Sequence, residues 1–199
     1  MAQAKLRPYI TPYISPYISE EEYLASEELS PVRREYIDGQ VFAMAGATDS
    51  HGVITLNLGA RLLAHLRGSE CRAYVNDMRA QVKAIKAYYY PDVIVSCGAR
   101  DPKAVHTETP VLIIEVISPS TETIDRREKL MNYRKIPSLR EYVLIDQNER
   151  CVEVYRLNEM SQWIHEILRE DGLLELASLP NGTCAITFDD LYEGVIFTE

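Results

Sequence analysis

Apolar and polar positions along this chain change period several times, and each change marks an element. Ser19-Glu20-Glu21-Glu22 is a capping box, in which serine and glutamate side chains satisfy each other's orphan backbone donors. A helix is therefore expected from there to about Leu29, with Pro31 as its stop. Arg34 to Ala45 reads as a hairpin turning at Asp38-Gly39, a dipeptide that accepts positive φ at both positions. Asp49 or Ser50 can cap a second helix with apolar residues Val53, Leu56, Leu63 and Leu66, and Gly68 falls just past its end. Strand-like stretches follow at about 71–75, 79–87, 92–97 and 111–117. Ser118-Pro119-Ser120-Thr121 breaks the last of these and offers caps for a helix at about 123–136, which Pro137 ends. Glu141 to Ile145 is another buried strand, and Asp146 to Arg150 a turn. Cys151 to Tyr155 alternates and leads into a meander through 164–168, and Asp189-Asp190-Leu191-Tyr192 suggests a short helical turn.

This order of elements predicts an α/β chain, more strictly a layered α+β one, with a mixed central β-sheet flanked by helices. It lacks the regular βαβ alternation of a doubly wound fold. It has no GxGxxG and no Walker A lysine loop, so a nucleotide cofactor is not expected. Near the start, Pro8-Tyr9-Ile10-Thr11, Pro12-Tyr13-Ile14-Ser15 and Pro16-Tyr17-Ile18-Ser19 form a tandem repeat too short for a solenoid unit. Its proline spacing favours extended chain. Residues 1–18 therefore read as a flexible arm, or as an aromatic arm that docks on a partner subunit, and 19–199 as one domain.

Two of the apolar runs carry a carboxylate where a buried strand should have none: Asp92 in Tyr90-Pro91-Asp92-Val93-Ile94-Val95, and Glu115 in Val111-Leu112-Ile113-Ile114-Glu115-Val116-Ile117. An unpaired charge in a low-dielectric strand costs several kcal/mol. Pro91 has no ladder N–H to lose, which suits the first position of a strand and sets Asp92 at a sheet margin beside a cleft. If the two strands are neighbours, the carboxylates converge and need something positive between them. Oxygen ligands of this kind suit Mg²⁺, which takes one or two carboxylates and keeps several waters. The alternative is that each carboxylate pairs with a buried Arg or Lys. On the next helix Asp125, Lys129 and Tyr133 stand at i, i+4 and i+8, hence on one face. They read either as a surface ion pair beside a tyrosine or as a lysine overhanging the Glu115 strand, placed to hold a water or a phosphate.

Composition alters the picture in three places. A formal net charge of −9 argues against a broad nucleic-acid footprint, which shows as a basic excess. Arg126, Arg127, Lys129, Arg134, Lys135 and Arg140 nevertheless gather in one segment. Cys71, Cys97, Cys151 and Cys184 are widely spread with no CxxC pair, and read as reduced thiols of a cytoplasmic protein. No run approaches the ~20 apolar residues of a membrane span, and no signal-peptide core opens the chain.

Taken in order, Glu35-Tyr36-Ile37-Asp38-Gly39-Gln40, His51, Pro91-Asp92-Val93, Glu115 to Thr121, Asp125, Lys129, Tyr133 and Glu141 to Asp146 resemble the Uma family of endonucleases, within the PD-(D/E)XK restriction-endonuclease-like fold. The match covers about residues 20 to 196. The resemblance implies a restriction-endonuclease-like core and a metal-dependent phosphodiesterase, with Asp92 and Glu115 as ligands of Mg²⁺ (or Mn²⁺). One position departs from the parent motif, which has a lysine two residues after the glutamate; here that residue is Ile117. Lys129 stands in for it in the Uma-like pattern, with Lys83 and Lys86 as fallbacks. Glu35 is either the additional acidic residue of such nucleases or a hairpin residue paired with Arg33 or Arg34. His51 is a secondary candidate for proton transfer, metal binding or capping, while His65, His106 and His165 show no ligand spacing.

The expectation is a Mg²⁺-dependent endonuclease acting on DNA, with Lys129 on the attacking water or transition state, Tyr133 and Asp125 setting its position, and the Val116 carbonyl as a further metal ligand. A lone general base is worth about 10²–10⁴ in rate, too little for phosphodiester hydrolysis, which favours the metal. Two rival readings remain: a catalytically silent module of this fold that binds nucleic acid or a partner protein, and a hydrolase of small phosphoesters. A homodimer is also expected from the tyrosine-rich arm and the exposed meander.

Overall fold

The structure, a computed structural model, describes residues 17–44, 46–99, 101–118 and 121–197. Most of the expected arm, including all but the end of its repeat, lies outside the described residues, as do Pro119 and Ser120 of the strand break. Ser19 caps α1 (Glu20–Glu27) through both bonds of the capping box. Strands β1 (Arg34–Ile37) and β2 (Gln40–Ala43) form the expected hairpin. Asp38 and Gly39 at its turn have φ of 41° and 89°, as a two-residue turn requires.

Helix α2 (Asp49–His65) is capped by Thr48, one residue earlier than expected, whose hydroxyl accepts from the His51 N–H. Its buried face is Ile54, Leu58, Leu62 and the following Leu66, an unbroken i, i+4 series. Leu56 and Leu63, expected on that face, point outward at 70% and 71% exposure, because both fall on the other side of the helix.

Beyond α2 run β3 (Cys71–Val75), β4 (Arg79–Val82), β5 (Ala87–Tyr89), β6 (Val93–Cys97), β7 (His106–Thr107) and β8 (Pro110–Ile117). The single strand expected at 79–87 is thus two: a 3₁₀ turn, Lys83–Ile85, and Lys86 at φ 49° fold it into the β4–β5 hairpin. The helix after β8 opens as a π-helical stretch, Ile124–Lys129, and continues as α3 (Leu130–Tyr133). Strands β9 (Glu141–Asp146), β10 (Cys151–Leu157), β11 (Trp163–Arg169), β12 (Leu173–Leu176) and β13 (Cys184–Thr187) and the short α4 (Phe188–Leu191) complete the chain.

The strands build a six-stranded sheet ordered β11-β10-β9-β8-β6-β3, a five-stranded sheet ordered β2-β1-β5-β4-β7, and the β12–β13 hairpin. Only the β8–β9 pair of the larger sheet is parallel, so that sheet is mixed, as expected. Period-2 alternation divides its side chains between two cores. Val93, Val95, Leu112, Ile114, Val143, Ile145, Val152 and Val154 face α2, α4 and the small hairpin. Ile94, Ile113, Ile117, Tyr142, Leu144 and Tyr155 face the second sheet and α3 with Tyr133. Glu115 falls between Ile113 and Ile117 in this alternation and so points toward α3.

Antiparallel pairing of β3 with β6 sets Cys71 opposite Cys97, and a disulfide joins them. The expectation of four free thiols is corrected here, because only the strand register brings these two together. Cys151 and Cys184 are free and buried. Among the described residues no helix is long and apolar enough to cross a membrane.

Candidate active site

Strands β6 and β8 are antiparallel neighbours with Val93 opposite Ile114, so continuing the register by one residue sets Asp92 opposite Glu115. Asp92 is anchored on both oxygens: Oδ2 accepts from the Val116 N–H at 2.7 Å, and Oδ1 lies 3.1 Å from His51 Nε2. His51 arrives from the first turn of α2. Glu115, 3% exposed, accepts on Oε1 from Lys129 Nζ at 3.0 Å and from the Tyr133 hydroxyl at 2.9 Å, and neither bond uses Oε2.

Lys129 reaches Glu115 from the π-helical stretch. Its Nζ also lies 3.3 Å from Asp125 Oδ1 and 3.3 Å from Glu35 Oε1, and all four side chains are buried. Asp125 and Lys129 are therefore an interior pair, and the surface-pair reading fails because their helix face turns onto the sheet. Glu35 does not pair with Arg33 or Arg34, which are taken by Asp77 and Glu27. Instead Glu35 Oε1 accepts from the Tyr90 N–H at 3.2 Å, and Oε2 has no hydrogen-bond partner. The fallback lysines lie elsewhere: Lys83 pairs with Glu108 and Lys86 occupies the β4–β5 turn. Ile117, where the parent motif has its lysine, is buried in the apolar core.

Three carboxylates on one ammonium leave a surplus of negative charge, which bears on the protonation of every group in the cluster. Burial pushes the Glu115 carboxyl well up; Lys129 opposes this, while Asp125, Asp92 and Glu35 add to it. Burial likewise raises Glu35 and Asp125 against the pull of Lys129. For Lys129 burial works downward, but Glu115, Glu35 and Asp125 together outweigh it and hold the ammonium well above the usual lysine range. Burial and then Glu115 keep the Tyr133 hydroxyl protonated, hence a donor. His51 is raised too: burial works against its charge, and contact with Asp92 prevails.

Asp92, Glu115, Val116, Asp125, Lys129 and His51 all line one pocket of about 390 Å³. Sequence reasoning missed other parts of its wall, notably Thr48 and Gln147, which hydrogen-bond each other at 2.5 Å across the gap between α2 and the end of β9. No local pattern signals that pair, since the two residues meet only through the fold. Among the described residues no group of three or more His, Cys, Asp and Glu side chains is arranged to hold a metal. Asp92 and Glu115, opposite each other on neighbouring strands and both lining the pocket, and the acidic surplus around Lys129 nevertheless fit Mg²⁺, which asks for only one or two carboxylates.

Comparison with known proteins places this geometry. The profile of the Uma2 family, described as "Putative restriction endonuclease", matches residues 20–187. The chain belongs to the Uma2 family. Two relatives come from Synechocystis sp.: uncharacterized protein slr1290, 35% identical over 180 residues (90% of this chain, 93% of that one), and uncharacterized protein sll1609, 35% identical over 162 residues (78% and 90%). The crystal structure of "a putative nuclease belonging to DUF820" from Anabaena variabilis superposes with a TM-score of 0.71 at 20% identity, covering 90% of this chain and 99% of that one. The fold is thus restriction-endonuclease-like, and within it Glu35 of β1, Glu115 of β8 and Asp125 surround the buried Lys129.

Proposed function

We propose that this chain is a Mg²⁺-dependent endonuclease that hydrolyses phosphodiester bonds in DNA. The observation that carries the reading is a buried lysine clasped by three carboxylates beside Asp92, in a pocket open to substrate. Asp92 and Glu115 would hold the ion, with the Val116 carbonyl as a further ligand. When bound, Mg²⁺ or Mn²⁺ lowers the pKa of a coordinated water and neutralises phosphate charge. Lys129 presents its ammonium to the attacking water or to the phosphorane oxygens, where positioned charge counts most in a site poor in water. Glu115, Asp125 and Glu35 fix that ammonium from three sides, and Tyr133 holds Glu115 through its hydroxyl, which spares the lysine's ordering during the reaction. His51 holds the Asp92 carboxylate in one orientation.

The test is plasmid cleavage in Mg²⁺ or Mn²⁺ by the wild-type chain beside Asp92→Ala and Glu115→Ala. Outer partners of a metal site cost 10–100-fold when removed, so each ligand change is expected to slow cleavage by at least about a hundredfold. Equal cleavage by all three proteins rejects the site. Binding without cutting by the wild type points to a silent module instead.

A further inference from the structure

Of the basic side chains in segment 126–140, Lys129 alone enters the site; Arg126 is partly buried, and Arg127, Arg134, Lys135 and Arg140 are exposed. Arg126 is held by Glu122 and by Glu153 of β10. Arg127 and Arg134 are exposed and have no carboxylate partner among the described residues. Arg134 rests instead on aromatic rings, its guanidinium carbon 5.4 Å from the centroid of Tyr155 and 5.4 Å from that of Trp163. Trp163 and His165 alternate onto the same face of β11. His165 stacks on Tyr155 at 4.3 Å with an interplanar angle of 3°, and its side chain is 40% exposed. A row of rings, Tyr89–Tyr133–Tyr142–Tyr155–His165, runs from beside Lys129 through the core to this surface with spacings of 5.3, 5.3, 6.1 and 4.3 Å.

The surface is planar, and Arg134 stands on it without a carboxylate among the described residues, whereas Arg126 and His165 share Glu153, His165 Nε2 lying 2.9 Å from its Oε2. Burial lowers the pKa of His165, and Arg126 and Arg134 lower it further. We propose that Trp163, Arg134 and His165 form a platform on which unpaired bases of single-stranded DNA stack as the strand leaves the site. This rests on the nuclease reading of that site. Flat rings and guanidinium planes stack on bases that are unpaired, whatever their sequence. A duplex hides its base faces and demands a broad basic footprint that this chain lacks. An acidic peptide would use the arginines and leave the ring faces idle.

Trp163 is the sole tryptophan, so its fluorescence reports on the platform alone. The full chain is titrated in EDTA, which prevents cleavage, with a labelled oligodeoxythymidylate of roughly 12 nucleotides, within the span of known single-strand sites. Anisotropy and Trp163 quenching are expected to saturate together. Arg134→Ala and Trp163→Ala should weaken binding about fivefold to a hundredfold, the worth of one stacked base. Trp163→Phe should retain most of the affinity. Arg134→Lys keeps the charge without the plane and should fall between wild type and Arg134→Ala.

Binding without quenching, or unchanged affinity in both alanine variants, overturns the platform. So does equal displacement by blunt duplex, by an oligoglutamate peptide or by self-association, and tighter binding of oligouridylate removes the DNA assignment. Plasmid cleavage without oligonucleotide binding sinks the platform and leaves the nuclease reading standing. Quenching without cleavage does the reverse.

Discussion

Replacing Lys129 with methionine removes the one cation that three buried carboxylates share, while keeping most of the side-chain volume. The ammonium lies 3.0 Å from Glu115 and 3.3 Å from both Glu35 and Asp125. Without it the folded chain can keep a carboxylate only by protonating it. A glutamate ionises at about pH 4.3 when unfolded, so holding one neutral at pH 7 costs about 2.7 pK units, or about 3.7 kcal/mol. At pH 5 the same group costs only about 1 kcal/mol. The pH 7 figure agrees with the 3–5 kcal/mol lost when one partner of a buried pair is removed. Urea unfolding of wild type and Lys129→Met at both pH values measures the difference. Stability of about 5–15 kcal/mol is typical of domains, so the variant should still fold at pH 5. Adding Glu115→Gln should return part of the loss at pH 7. A deficit under about 1 kcal/mol at pH 7, or one equal at both pH values, would refute the view that the lysine compensates these carboxylates.

Glu141, fully buried, accepts from Arg156 at 2.6 Å, from the Ala177 and Ser178 N–H groups at 3.2 and 3.0 Å, and from the Ser178 hydroxyl. Glu141→Gln turns one acceptor into a donor against these donors and should cost about 3 kcal/mol in chemical denaturation, with cleavage per folded molecule unchanged because Glu141 faces away from Lys129. Reducing the Cys71–Cys97 disulfide, whose sequence separation is 26, should lower stability by about 3.5 kcal/mol on the loop-entropy relation, read as a drop in the urea midpoint with and without reductant.

Local spacing made the heart of the site legible. Asp125, Lys129 and Tyr133 share a helix face by arithmetic, and carboxylates stand out in the apolar runs around Asp92 and Glu115. Contacts made only by tertiary structure stayed hidden. Glu35 meets Lys129 through strand pairing between β1 and β5, which no spacing along the chain encodes. Cys71 and Cys97 face each other for the same kind of reason. The β4–β5 turn escaped because it uses Lys86 in left-handed geometry, where Gly or Asn would have flagged it. On α2 the apolar count was right but the face was not, since Leu56 and Leu63 are exposed hydrophobics with nothing in the local pattern to separate them from core. The π-helical stretch carries no sequence signal at all, although such turns often mark functional sites.

Glu35 puts the balance between stability and function to a sharper test. Its Oε2 is buried without a hydrogen bond, and burial holds its carboxyl above the ordinary glutamate range. A group whose folded pKa exceeds its unfolded value favours the fold below about pH 4, the unfolded value, and loses that contribution as pH rises through the folded one. Glu35 therefore penalises the fold at neutral pH, which a chain shaped for stability alone would not retain. In Glu35→Gln the Tyr90 N–H keeps an acceptor and the titration disappears. Relative to wild type, the variant's stability should rise steadily between pH 4 and pH 7 in urea titrations. Its cleavage rate should fall, because Lys129 loses one of the three groups that aim it. A stability difference that stays flat or falls with pH would show that Glu35 carries no burden in the fold, and unchanged cleavage would show that Lys129 is aimed without it.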